Sequence, residues 1–257
     1  MNDERHSGPE LKKILGPVDG VAIIVGVSVG AGILGAPGLI AGYLGNAYVM
    51  LAVWVFGGVS VALSTVILAE MGAMLPRAGG KYAYVRAAYG DRAGCFAGWA
   101  EVLFNRSFTG ALKAVLIGQY LTTLIGRGSP GLYVVLLVVG YVVLHLRGLR
   151  AGKRFQNVTT VIKVALLLAV VATAFVYGNG TSWTAATSFA PKHGAFLAIA
   201  LAYQSVFFTF YGVETSLQMS EELRDPGRNV PRMLLYGAAS VTVIYLLMNV
   251  AFLHAMT

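Results

Sequence analysis

The chain has 257 residues, of which 57% are hydrophobic and only 12% are charged, and its mean hydropathy is +0.71. A soluble domain carries about 25% charged residues, so this composition excludes an ordinary soluble protein and predicts an all-α integral membrane protein. The formal net charge of +8 has a simpler cause in membrane topology than in nucleic-acid binding, and no nucleic-acid partner is predicted.

Seven apolar segments are predicted to be membrane helices, since a span needs about 20 apolar residues. They cover residues 18-42, 47-75, 91-124, 131-147, 155-178, 194-220 and 232-256. Most of the 19 Lys and Arg residues fall on one side of these spans, whereas only Arg127 and Lys192 fall on the other. By the positive-inside rule, we expect a multi-pass protein of the cell membrane, surrounded by lipid bilayer, with a cytoplasmic N-terminus. No composition change marks a second domain, so residues 1-257 are predicted to form a single membrane domain.

The first span is interrupted by glycines in the stretch VGVSVGAGILGAPG, residues 25–38. Its letters from Gly30 to Gly35 also fit the dinucleotide-binding pattern G-x-G-x-x-G. Pro37 comes two residues after the last glycine of this pattern, and no acidic residue lies between Gly35 and Glu70. The strand-turn-helix context of the pattern is therefore missing, and dinucleotide binding is not expected.

The glycines instead predict a helix that unwinds at membrane depth, which is tolerated mainly where the break lines a cavity or binds a ligand. Free N–H groups at the start of a half-helix favour an anion such as a carboxylate. The alternative is a glycine-lined packing surface between helices. The predicted wall of the binding site consists of Ser28 and the backbone at Val29, Gly30, Ala31, Gly32 and Ile33.

The second and third spans are joined by PRAGGKYAYVRAAYGD, residues 76–91, which predicts a turn followed by an amphipathic stretch along the cytoplasmic face. In the third span, Glu101 and Arg106 are expected to form an ion pair or a cap. In the fifth span, Lys163 lies in the apolar stretch VIKVALLLAVV, where an ionised amine costs several kcal/mol unless it is partnered or solvated. It is therefore a candidate functional residue, and the alternative is a lysine that extends toward the membrane surface.

A second break is predicted in FFTFYGVETS, residues 207–216, near the end of the sixth span. Glu214 follows this break, and a carboxylate in a low-dielectric cavity can take up a proton near neutral pH, which suits proton coupling. The alternatives are that Glu214 pairs with Arg106 or Lys113, and that the aromatic run simply packs against lipid. The histidines and the single Cys95 lack metal-ligand spacing. No metal, cofactor or catalytic residue is predicted.

Four segments resemble, in order and spacing, the amino acid/polyamine/organocation superfamily of amino acid permeases. They are VGAGILGAPG, AEMGAMLPRAGGKYAYVRAAYG, GWAEVLFNRS and SEELRDPGRNVPR. The resemblance implies the N-terminal part of a five-plus-five inverted-repeat transporter fold, with broken first and sixth helices around an amino acid or related amine. Residues 18-178 would form the first repeat and residues 194-256 the first two helices of the second. It also implies a gating role for Phe208 and a place at the second break for Phe210, Tyr211 and Gly212. Lys163 would occupy the volume where sodium-coupled relatives bind an ion and would contact the broken first helix.

The resemblance implies secondary active transport of amino acids, by sodium-independent exchange or by proton-linked uptake. The Gly-Val-Glu-Thr sequence resembles basic amino acid and polyamine antiporters and glutamate exchangers, whereas the third span resembles neutral amino acid exchangers. Because such a fold needs ten helices, we expect a truncated form. The alternative is a non-transporting remnant or an amino-acid-binding membrane sensor.

Overall fold

The computed structural model describes residues 13, 15–75, 79–147, 149–178 and 194–255. In these ranges the chain is helical apart from turns and one two-residue β-bridge. In chain order the elements are α1 (Pro17–Ser28), α2 (Ala31–Leu44), α3 (Ala47–Met74), α4 (Lys81–Tyr89), α5 (Asp91–Ala100), a π-helical segment (Glu101–Ser107), α6 (Phe108–Ile125), α7 (Pro130–Leu146), α8 (Leu149–Tyr177), α9 (Ala195–Thr209), a 3-10 helix (Val213–Glu222) and α10 (Pro226–Ala255).

The described residues fall into two compact units. The first unit combines the chain up to Gly80 with the chain from Lys163 onward, and the second runs from Lys81 to Ile162. The prediction of a single membrane domain stays a prediction.

Membrane-length helices confirm the predicted all-α membrane fold. Among the described residues, four helices are long and apolar enough to cross a membrane, and α1 with α2 makes a fifth span if the pair is counted as one helix bent by 53°. The helices in the remaining two predicted spans are shorter, with 17 residues in α7 and 15 in α9, against about 20 for a full span. Residues 148 and 179–193, which adjoin these two helices, lie outside the described part of the chain.

The core of the first unit lies between α3 and α10, with α1 packed on α10 and α9 packed on α2 and α3. Glycines allow these helices to approach closely. A Cβ atom built on Gly57 of α3 would lie 2.3 Å from Val206 Cγ1 of α9, and one on Gly237 of α10 would lie 2.5 Å from Ile24 Cδ1 of α1. Both distances are shorter than real Cβ contacts, so a larger residue at either position would force the neighbouring side chain or helix to move.

The second unit begins with the short helix α4, which lies in the stretch predicted to be amphipathic. The Arg86 Nε donates to Asp91 Oδ1 at 2.6 Å across the start of α5. This hydrogen bond and the charge of Asp91 raise the pKa of the Arg86 guanidinium. The neighbouring Tyr84 is buried, and its burial raises the pKa of the phenol.

The third span contains a π-helical segment, Glu101–Ser107, between α5 and α6. In a π-helix each backbone N–H donates to the carbonyl five residues earlier in the chain. Residues spaced by four and by five can therefore share one face. The Asn105 Nδ2 donates to Glu101 Oε2 at 2.7 Å, and the Arg106 Nε lies 3.5 Å from Glu101 Oε1. The predicted pairing of Glu101 with Arg106 is therefore present.

Candidate functional site

The two predicted breaks lie against each other in the first unit. The half-helix α1 packs against the 3-10 helix, while α2 packs against α9, so the two broken spans run in opposite directions. A Cβ on Gly212 would lie 3.0 Å from Ser28 Oγ, and one on Gly32 would lie 3.3 Å from Thr209 Cγ2. These close approaches place the ends of α1 and α9 and the start of α2 at one junction.

The first break is two extended residues long, because Val29, with φ −75° and ψ 107°, is extended as well as Gly30. The Val29 N–H still donates to Val25 O at 2.9 Å, Gly30 is extended with φ −157° and ψ −154°, and α2 begins at Ala31. The N-cap of α2 is Gly30, which makes no side-chain hydrogen bond to the helix, although the first N–H groups of a helix lack partners within it. The side chain of Ala31 lies outside the described residues.

The hydroxyl of Ser28 lies beside this break with an unused hydrogen-bonding group. The residue is 7% exposed, and its Oγ has no hydrogen-bond partner among the described residues. A buried polar atom is normally paired, because leaving it unpaired costs free energy. Val29 and Ile33, also predicted wall residues, are buried, whereas Gly32 is exposed.

The second break depends on Gly212. This residue has φ +137°, a conformation that side-chain-bearing residues rarely adopt. Phe210 is buried, Tyr211 is half-buried, and Phe208 is 65% exposed. Phe210 is thus the aromatic residue that packs inward at the junction, and the gating role of Phe208 stays a prediction.

Tyr245 of α10, which the sequence analysis did not single out, joins the two breaks. Its phenol oxygen lies 2.7 Å from Ser28 O and 2.9 Å from Thr209 O. These two carbonyls belong to the last residues of α1 and α9, where carbonyl groups lack intrahelical partners. The residue is fully buried, so its single proton serves both acceptors without competition from bulk water.

An aromatic cluster of Trp54, Phe210 and Tyr245 surrounds this contact. The ring centroids of Phe210 and Tyr245 are 4.9 Å apart, those of Trp54 and Tyr245 are 5.7 Å apart, and those of Trp54 and Phe210 are 6.2 Å apart. The two closer pairs meet edge to face, the arrangement that aromatic quadrupoles favour. The cluster therefore fixes the second break against α3 and α10.

Lys163 contacts the end of the first half-helix. Its Nζ donates to Gly26 O at 2.8 Å across 137 residues of sequence. Gly26 lies in the last turn of α1, where the carbonyls carry the negative end of the helix dipole. The amine therefore supplies a hydrogen-bond donor to the carbonyl end of α1.

Glu214 lies half-buried in the first turn of the 3-10 helix, two residues after Gly212. The structure pairs Arg106 with Glu101 of its own helix. The proton-coupling role of Glu214 stays a prediction.

Comparison with known proteins connects this junction to a family. The amino acid permease family matches residues 15–257. The chain is similar to the b(0,+)-type amino acid transporter 1 of Mus musculus, with 28% identity over 254 residues that cover 96% of this chain and 52% of that protein. It is also similar to the serine/threonine exchanger SteT of Bacillus subtilis, with 26% identity covering 96% of this chain and 56% of that protein. The Asc-type amino acid transporter 1 of Mus musculus is 30% identical, covering 96% of this chain and 48% of that protein.

The chain thus spans about half the length of the curated relatives it matches. The resemblance inferred from the four sequence segments is confirmed, and so is the predicted correspondence to the N-terminal part of the transporter fold. The chain belongs to the amino acid permease family.

Proposed function

We propose that this chain forms the substrate-binding breaks of a secondary active amino acid transporter that works by sodium-independent exchange or proton-linked uptake. The relatives named above are amino acid transporters and an exchanger. The observation that carries the proposal is the junction of Ser28, Gly212 and Tyr245, where both breaks meet. We also propose that the N-terminus is cytoplasmic, on the distribution of basic residues.

The chemistry of the junction suits an amino acid, which carries one carboxylate and one ammonium group. Free N–H groups at the start of α2 and the Ser28 hydroxyl can donate to the carboxylate. Carbonyl oxygens at the end of α9 can accept from the ammonium. Alternating access then requires the site to open to one side of the membrane at a time.

Uptake into liposomes tests this proposal. The purified chain is reconstituted, and uptake of labelled leucine, arginine and glutamate is measured with and without a pH gradient, while binding is measured separately in detergent. Uptake supports a transporter, and the preferred amino acid decides between the basic, acidic and neutral classes. Binding without uptake supports the alternative of an amino-acid sensor. Folded protein that neither binds nor transports any of the three contradicts both.

Gly32→Leu is expected to abolish amino acid binding. A side chain at this position starts 3.3 Å from Thr209 Cγ2 and would fill the space between the two breaks. Gly35→Leu is the matched control, because the same helix carries it and a Cβ there meets nothing within 4 Å. Equal binding by both variants would contradict a substrate site at the first break.

Lys163→Met is expected to slow uptake by about tenfold, since it removes an ammonium that contacts a helix end at 2.8 Å and a charge-assisted hydrogen bond contributes about 1.5–3 kcal/mol. The methionine keeps the length and apolar stem of the side chain. Initial rates at saturating substrate measure the effect. An unchanged rate would show that the hydrogen bond of Lys163 to Gly26 O has no part in transport.

Glu214→Gln is expected to flatten the pH dependence of uptake with a smaller effect on substrate affinity. The amide keeps the size of the side chain and cannot exchange a proton. Uptake is measured between pH 5 and pH 8, with affinity measured at each pH. A variant that keeps the wild-type pH profile would remove Glu214 from the coupling mechanism.

A further inference from the structure

The second half of the second broken span is a 3-10 helix of ten residues, Val213–Glu222. Runs of 3-10 helix longer than three or four residues are uncommon, and such a stretch often marks a hinge or a strained sequence. Its sequence, VETSLQMSEE, contains neither Gly nor Pro and is rich in Glu, Leu, Gln and Met, which favour the α-helix. Contacts outside the segment are therefore needed to explain the 3-10 form.

Both ends of this 3-10 helix are held by the first broken span. At its start, the backbone of Gly212 is pressed against the last residue of α1, since a Cβ there would lie 3.2 Å from Ser28 Cα. At its end, Leu223 pairs with Leu15 in a parallel β-bridge. The Leu15 N–H donates to Glu222 O at 3.1 Å, and Leu15 O accepts from the Arg224 N–H at 3.0 Å. Leu223 is fully buried, whereas Leu15 is half-buried.

A third contact lies at the middle of the 3-10 helix. Gly80, in the turn that follows α3, is buried with φ +52°, and a Cβ there would lie 3.3 Å from Gln218 Cγ. The side chain of Leu217 is within 4 Å of the same point, and Leu217 is fully buried. The middle of the segment is thus in contact with this turn, while its two ends are in contact with α1 and with the residue that precedes the N-cap of α1.

The distance between the two end contacts selects the helix type. A 3-10 helix rises about 2.0 Å per residue and an α-helix about 1.5 Å, so ten residues span about 20 Å in the first form and about 15 Å in the second. An α-helix starting at Gly212 would fall short of the Leu15 bridge by about 5 Å. The bridge therefore favours the longer form.

We infer that residues 213–222 form a length switch, which is a stretched 3-10 helix while Leu15 is bridged to Leu223 and shortens to an α-helix when that bridge opens. Leu15 lies one residue before the N-cap of α1, so the bridge connects the two ends of the broken spans that lie farthest from the substrate junction. Opening the bridge separates these two ends and draws the Leu223 end of the second span toward the substrate junction. This inference goes beyond the proposed function, because the change of length can be measured in protein that transports nothing.

A distance measurement tests the switch. In a Cys95→Ser background, which removes the single native cysteine, spin labels are attached at Phe207→Cys and Arg224→Cys. Both side chains are exposed, and they lie on either side of the 3-10 helix. Leu15→Pro removes the N–H that donates to Glu222 O, whereas the matched control Leu15→Ala keeps both backbone hydrogen bonds. Pulsed electron paramagnetic resonance is expected to give one distance for the wild type and Leu15→Ala, and a population shorter by about 5 Å for Leu15→Pro.

An unchanged distance in Leu15→Pro would overturn the inference, and so would an equal shortening in Leu15→Ala. If Leu15→Pro does not fold, Leu15→Gly replaces it, because the greater freedom of glycine disfavours the paired, extended backbone without removing the donor. The shorter population is then expected to grow together with faster hydrogen exchange at the amides of residues 15 and 224. Faster exchange without a shorter distance would show a bridge that opens without switching the helix, and would also overturn the inference.

Discussion

Replacing Tyr245 with phenylalanine is expected to lower amino acid uptake by about tenfold and the free energy of unfolding by about 1–3 kcal/mol. The variant keeps the ring, which packs against Trp54 and Phe210, and loses only the hydroxyl. Two buried carbonyls, Ser28 O and Thr209 O, then lose their shared donor. Because these carbonyls end the two half-helices, the breaks are expected to lose their fixed separation, and uptake is expected to fall through the maximal rate as well as through affinity.

Tyr236→Phe is the control for this substitution, since Tyr236 lies on the same helix and is 63% exposed. Initial rates of uptake, substrate affinity and thermal unfolding are measured for both variants. A Tyr245→Phe protein that transports normally would show that packing alone keeps the two breaks in place. Loss of stability with normal transport would give the hydroxyl a structural role only.

Gly57→Val is expected to destabilise the fold by about 1–3 kcal/mol or more, because it overpacks the contact between α3 and α9. The added Cβ would lie 2.3 Å from Val206 Cγ1 and 3.9 Å from Phe210 Cε2. Val206 and Phe210 are both buried, so neither can turn toward a free surface. The displaced α9 would carry the second break away from Trp54, and substrate binding is expected to be lost together with stability.

Gly42→Val is the control for this substitution, because it places the same β-branched residue in a helix of the same unit where a Cβ meets nothing within 4 Å. Unfolding in detergent, followed by circular dichroism against temperature, measures both variants. If the two variants unfold at the same temperature, close packing of α3 on α9 is not needed for stability.

The sequence alone predicts the two breaks and Lys163 because each has a local cause. Glycines between residues 25 and 38 and at Gly212 leave the helix with weak points, and the structure interrupts the helices at 28–31 and at 209–213. Lys163 is recognisable because a cation is costly in an apolar segment. The structure adds its acceptor, Gly26 O, which no local pattern specifies.

The family resemblance implied that Lys163 contacts the broken first helix, and the structure shows this contact, whereas the contacts of Tyr245 were not predicted. Tyr245 meets Ser28 across 217 residues, and a single tyrosine in an apolar span gives no sign of which carbonyl it reaches. The ten-residue 3-10 helix was missed because its residues favour an α-helix, so its form depends on tertiary contacts that override propensity. The sixth span is also predicted to be longer than the α-helix within it. Hydropathy treats residues 194–220 as one apolar segment, whereas the α-helix ends at Thr209.

Trp54 gives the protein a built-in optical reporter of the second break. Its indole is 1% exposed, has no hydrogen-bond partner for Nε1 among the described residues, and lies 6.2 Å from the ring of Phe210. An indole that is both dry and unbonded emits at short wavelength, and water reaching it shifts the emission to the red. The sequence contains only three tryptophans, so replacing Trp99 and Trp183 with phenylalanine leaves a signal from one site. Movement of Phe210 away from Trp54 would then shift the wavelength of the fluorescence emission. The shift can be followed in unlabelled protein, in detergent or in a membrane, while substrate is added.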